Sequence, residues 1–113
     1  MFHKKTSLLM LGALITLGAM TGTAGAADGK KLYMTCAACH GKDGKSPLMP
    51  AYPKIAGQNK EYVLQQIKDI MTGARANGQS IAMKGVLVTP DGKPRFTDEE
   101  LNVLAEYVSK LAP

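Results

Sequence analysis

The chain has 113 residues, room for one domain and too little for two. It is 45% hydrophobic but only 5% aromatic, with two Phe, four Tyr and no Trp, and Lys plus Arg exceed Asp plus Glu by 14 to 9 for a net charge of +5. Two Cys and two His exclude a disulfide-dense scaffold and a zinc site with four well-spaced Cys or His ligands, and the charge alone does not choose among nucleic acid, anionic lipid and an acidic protein face.

Residues 1–26 have the layout of a secretory signal peptide: Lys4 and Lys5 near the start, an apolar run from Leu8 to Met20, and small Ala24-Gly25-Ala26 at the cleavage position. The apolar run is shorter than the about 20 residues a helix needs to cross a bilayer core. Cleavage after Ala26 is therefore expected, with export to the periplasm and no stable membrane insertion afterwards. Residues 27–113 would form the single domain, with a charge of +3 because Lys4 and Lys5 leave, and with His40 as its one histidine. So small a domain buries a low fraction of its surface and usually needs a staple. A Cys36–Cys39 disulfide closes too short a loop to restrain the unfolded chain, so something else should fill the core.

Further along, Asp28 is a plausible N-cap for a short helix to about Met34. Residues 41–58, with Pro47, Pro50 and Pro53, read as loop. Asn59 starts a helix to Thr72 that Gly73 ends, and Val63, Leu64, Ile67, Ile70 and Met71 form its apolar stripe. From Arg75 to Arg95 regular periodicity is absent. Within it, Val86-Leu87-Val88-Thr89 reads as a strand-like piece and Pro90-Asp91-Gly92-Lys93-Pro94 as a tight turn, together a small hairpin. Thr97 and Glu100 make a capping box, Phe96 and Leu101 a hydrophobic staple, and Leu101, Leu104, Ala105, Val108 and Leu111 the buried face of a last helix. The fold class is all-α.

The chemistry lies in Cys36-Ala37-Ala38-Cys39-His40. C-x-x-C-H is a haem attachment pattern: two thiols on a helical turn each form a thioether to a haem vinyl group, and the adjacent imidazole reaches the iron. A thioredoxin-type dithiol would sit beside a strand-helix-strand pattern, and no strand-rich sequence precedes it. A zinc site would lack a fourth Cys or His in residues 27–113. A plain disulfide would leave His40 and the unfilled core unexplained.

Together with Gly41, the Tyr52-Pro53-Lys54-Ile55-Ala56-Gly57-Gln58 segment, the Tyr62 to Gly73 helix followed by Arg75, a Met in the next loop, and Leu104-Ala105-Glu106-Tyr107-Val108, this motif makes the chain resemble the small class I c-type cytochromes of bacterial periplasms. The resemblance covers nearly all of residues 28–112. It implies about three main helices and loops wrapped around one haem c, covalent through Cys36 and Cys39, with iron bound by His40. It also implies that the Pro53 carbonyl accepts from the His40 ring N–H, that Tyr62 and Gln58 lie beside the haem, and that Gly29 and Tyr33 cross Leu104 and Tyr107 where the terminal helices meet.

For the sixth iron ligand, a second imidazole is lost with His3, and Met is the usual soft alternative. Met34 belongs to the His40 side, Met49 precedes the Pro53 segment, and Met71 sits on a helical stripe where a Met is usually core packing. Met83 lies in a polar loop with no stripe to explain it, where the family pattern puts its ligand; Met71 is its main rival, and the plainer reading is a loop residue beside an open sixth site. Arg75 either pairs with a haem propionate or serves the helix C-terminus it follows.

The expected function is one-electron transfer between redox proteins in the periplasm, by an electron carrier and not an enzyme. Lys42, Lys45, Lys54 and Lys84 flank the haem-binding segments and would steer it toward acidic partner faces. Nucleic acid is not an expected partner. Two alternatives are a haem c subunit of an oxidoreductase complex, docked through Val86 to Pro94, and a haem-based ligand binder with an open sixth site.

Overall fold

The computed structural model describes residues 27–113; the expected leader, 1–26, lies outside the described residues. Four α-helices follow one another: α1 Gly29–His40, α2 Lys60–Thr72, α3 Ser80–Leu87 and α4 Asp98–Lys110. Among the described residues the β-structure amounts to one antiparallel bridge between Val88 and Pro94, so the fold is all-α as expected. None of the described helices is long and apolar enough to cross a membrane.

Local chemistry accounts for three of the four helices. The Asp28 carboxylate accepts from the Lys30 and Lys31 amides at the start of α1, satisfying N–H groups that have no partner within the helix. The helix runs past Met34 to His40 because nothing in Thr35–Cys39 breaks it, and it stops at Gly41, whose φ of +85° favours glycine. Asn59 caps α2 through bonds from the Glu61 and Tyr62 amides, and Gly73 closes it in the left-handed region. In α4 both halves of the capping box form: Glu100 N donates to Thr97 Oγ1 at 3.1 Å and Thr97 N to Glu100 Oε1 at 2.9 Å.

The fourth helix corrects the sequence reading. Residues Ser80–Leu87, expected as polar loop and the start of a strand, are α-helical, and Met83 sits on a helix rather than in a loop. Eight residues are too few to display a stripe within the usual window of about 11–18 residues, and Val86 to Thr89 carry β-branched residues that favour a strand. The tight turn is present: Thr89 N donates to the Lys93 carbonyl at 2.8 Å, with Gly92 at a φ of +84°. The expected hairpin shrinks to the Val88–Pro94 bridge, and among the described residues the short α3 joins the three longer helices.

Helix α4 packs against α1 and α2, and α3 packs on α2. At the α1–α4 crossing a Cβ on Gly29 would lie 2.9 Å from Tyr107 Cβ, so only glycine permits that approach. The Tyr33 and Tyr107 rings meet there with centroids 5.3 Å apart. The buried core joins Tyr33 of α1, Ile67 and Ile70 of α2, Leu87 and Val88 at the end of α3, and Leu101, Leu104 and Val108 of α4. Part of its inner surface faces a cavity.

Candidate functional site

That cavity has a volume of about 560 Å³, within the range of cofactor sites. Apolar side chains from three helices line it, among them Ile67, Ile70, Leu87, Leu104 and Val108. Cys36, Cys39 and His40 line it from the last turns of α1, and Met83 and Val86 from α3. Pro53, Tyr62 and Arg75 belong to the same lining, so all seven expected site residues meet around one space.

His40 is buried. Its Nδ1 lies 2.8 Å from the Pro53 carbonyl oxygen. A carbonyl only accepts, so Nδ1 carries the proton and donates, which leaves the Nε2 lone pair free to bind a metal. The loop that brings Pro53 there is itself tied down. Leu48 N donates to the Cys39 carbonyl, and Ile55 N and Ala56 N both donate to the Gly44 carbonyl at 2.8 and 3.0 Å. Gly44 sits at a φ of +71°, with Leu111 and Ala56 against the position a Cβ would take. Asp43 accepts from the Lys45 and Ser46 amides and the Ser46 hydroxyl, bonds that hold its carboxyl below the usual range. Tyr33 Oη donates to the Gly41 carbonyl at 2.6 Å, fixing the end of α1. Burial, and secondarily the charges of Cys36, Asp43 and Tyr107, push the Tyr33 phenol up to about 12.

The two thiols are free and half-buried. Burial first, then the neighbouring Cys39, pushes Cys36 up to about 11. A redox-active dithiol needs a depressed thiol pKa, and this one is raised. Two free thiols one turn apart, a histidine with a free Nε2 and an apolar cavity in the middle of the core fit a covalently tethered haem.

The four methionines in the described residues separate by position. Met34 is 71% and Met49 40% exposed. Met71 packs against the core away from the cavity, and Met83 packs against the core and lines the cavity. Arg75 follows the end of α2 and lines the cavity. Its amide donates to the Asp69 carbonyl beyond the end of α2, while its Nη1 donates to Gln66 Oε1 at 3.1 Å at the cavity edge. Gln66 was not singled out from the sequence. Its signal was the i, i+4 spacing from Tyr62, which puts both on the cavity side of α2. Tyr62 is 53% exposed and stands at the rim, with Gln58 nearby in the lining. Lys54 reaches the cavity edge; Lys42 and Lys45 are exposed and Lys84 is half-buried.

The family model for cytochrome c matches residues 26–112. The chain is 37% identical over 108 residues to cytochrome c4 of Azotobacter vinelandii, covering 96% of this chain and 50% of that protein. It is 39% identical over 103 residues to cytochrome c4 of Pseudomonas aeruginosa, covering 88% and 46%. Cytochrome c-553 of Nitratidesulfovibrio vulgaris is 29% identical over 107 residues, covering 95% of this chain and 99% of that protein. The chain thus spans about half the length of the cytochromes c4 it matches and nearly all of the cytochrome c-553. The motif, the cavity it faces and the matched segment agree: the chain belongs to the cytochrome c family as a class I c-type cytochrome, with haem c bound covalently through Cys36 and Cys39.

Proposed function

We propose that this protein is a one-electron carrier of the periplasm, exported through residues 1–26, whose haem iron is held by His40 and Met83. The observation that carries the reading is the pairing of a buried His40, its Nδ1 committed to Pro53, with Met83 in the lining of one apolar cavity. The bound haem supplies a one-electron ferric/ferrous couple.

The protein's own residues do the rest. The Pro53 bond keeps the His40 ring in one orientation and raises its basicity in both oxidation states. Ile67, Ile70, Leu87, Leu104 and Val108 exclude water, and with the Met83 thioether they favour the less charged, reduced state. Arg75, oriented by Gln66, would offer its remaining donors to a haem propionate. With His40 and Met83 both kept in place, little rearrangement would accompany the electron. Lys42, Lys45 and Lys54 on the surface steer the carrier to redox partners with acidic docking faces.

Met83→Ala tests the reading. It is expected to abolish the ferric thioether-to-iron charge-transfer band and to open the ferrous protein to carbon monoxide, while Met71→Ala preserves the band. A band that survives Met83→Ala removes Met83 as the ligand. Prompt carbon monoxide binding by the unaltered protein at neutral pH points instead to an open sixth site.

A further inference from the structure

The helix that carries Met83 is weak by its own chemistry. It has eight residues, its N-cap Gln79 makes no side-chain bond to it, and Gly85 lies in its interior. Helices this short do not persist alone, and an interior glycine lowers their stability further.

Its carbonyl end is closed by one residue ten positions beyond Gly85. Arg95 Nε donates to the Gly85 and Val88 carbonyls, each at 3.2 Å, and Arg95 N donates to the Leu87 carbonyl at 2.9 Å. A single residue thus satisfies three carbonyls that the end of a helix leaves without partners, and places a cation at the negative end of the helix dipole. The Thr89 to Pro94 turn holds Arg95 in reach. Thr89 N donates to the Lys93 carbonyl, Lys93 N to Thr89 Oγ1 at 2.9 Å, and Val88 bridges to Pro94. Phe96, the next residue, lines the cavity.

We propose that Arg95 is a positioning residue for Met83: the turn and the guanidinium form a clasp that holds α3 closed and so sets how often the Met83 side chain leaves the sixth position. The inference rests on the reading of Met83 as the iron ligand. It also gives the Val86 to Pro94 stretch an internal role.

The test uses the holoprotein. Arg95→Gln is expected to speed carbon monoxide entry into the ferrous form by about tenfold, the scale of one lost bond from a charged donor. Amide hydrogen exchange at Leu87 and Val88 should rise by a similar factor, with exchange in α1 and α4 unchanged. Arg95→Lys keeps the charge but not the planar fork and should fall between. Adding Gly85→Ala to Arg95→Gln should recover part of the loss, since a Cβ at Gly85 meets nothing within 4 Å and alanine favours helix. Parent values for both carbon monoxide entry and exchange at Leu87 and Val88 would overturn the clasp, as would a rise spread equally over α1 and α4. Persistence of the charge-transfer band in Met83→Ala overturns the ligand reading beneath it, a result separate from these.

Discussion

The two walls of the cavity are held in different ways. On the His40 side, α1 has a side-chain cap at its start, a glycine stop, a tyrosine bond to the Gly41 carbonyl and two cysteines for covalent attachment, and the Pro53 loop anchors the imidazole. On the Met83 side, a short uncapped helix is held by the burial of Leu87 and Val88 and by the Arg95 clasp. In an electron carrier with His40 and Met83 as ligands, the first wall would attach the cofactor permanently and the second would decide whether the sixth ligand stays. Ligand loss should therefore begin at α3.

The largest effect tests attachment. Replacing Cys36 and Cys39 together by Ala should release haem to acidic organic solvent and leave the cavity without its fill. The apolar walls that the haem would cover are then exposed to water, in a domain too small to spare that burial. The far-ultraviolet circular dichroism of the variant should be that of a largely unfolded chain; a native spectrum without haem would show that the walls close on their own.

Tyr33→Phe should cost about 1 kcal/mol in denaturant melts, because the Gly41 carbonyl loses its donor. It should also change the alkaline limb. The Tyr33 phenol is raised to about 12 in the folded protein from 10.0, so above pH 10 the unfolded chain releases its proton first and stability falls until the folded pKa is reached. Below pH 10 this contribution is fully present. Stability measured from pH 9 to 12 should fall less steeply in the Phe variant, by at most about 1.4 kcal/mol per pH unit. An identical slope in both proteins would remove Tyr33 from the alkaline limb.

The smallest effect is a gain on the weaker wall. Gly85→Ala alone should stabilise α3 by about 0.5–1 kcal/mol. Slower hydrogen exchange at Leu87 and Val88, with no change at Leu101 or Leu104, would locate the gain there and sharpen the contrast between the walls.

The His40 wall was legible in the sequence because its chemistry is local. Cys36, Cys39 and His40 are spaced for one helical turn, Asp28, Asn59 and Gly73 are helix boundaries by their own side chains or lack of one, and Thr97 with Glu100 signals the last helix unaided. Met83 was singled out among four methionines as a loop residue, whereas it lies on α3 and lines the cavity that Met34, Met49 and Met71 do not reach. Gln66 and Arg95 were not singled out, since an ordinary polar residue acquires its role from what lies opposite it, and the carbonyls that Arg95 meets are ten, eight and seven residues away.

The residues alone therefore determined the family, the attachment chemistry, the starts of α1, α2 and α4 and the Gly73 stop of α2, and the need for something beyond side chains to complete so small a core. Those follow from short-range geometry and composition. Tertiary structure decided that residues Ser80–Leu87 form a helix, that the expected hairpin becomes a clasp on that helix, and that the Arg75 guanidinium is set by Gln66. An eight-residue segment containing glycine has too little intrinsic preference to choose its own conformation. Burial of Leu87 and Val88 in the core beside α2, and three carbonyls closed from Arg95, make the choice for it.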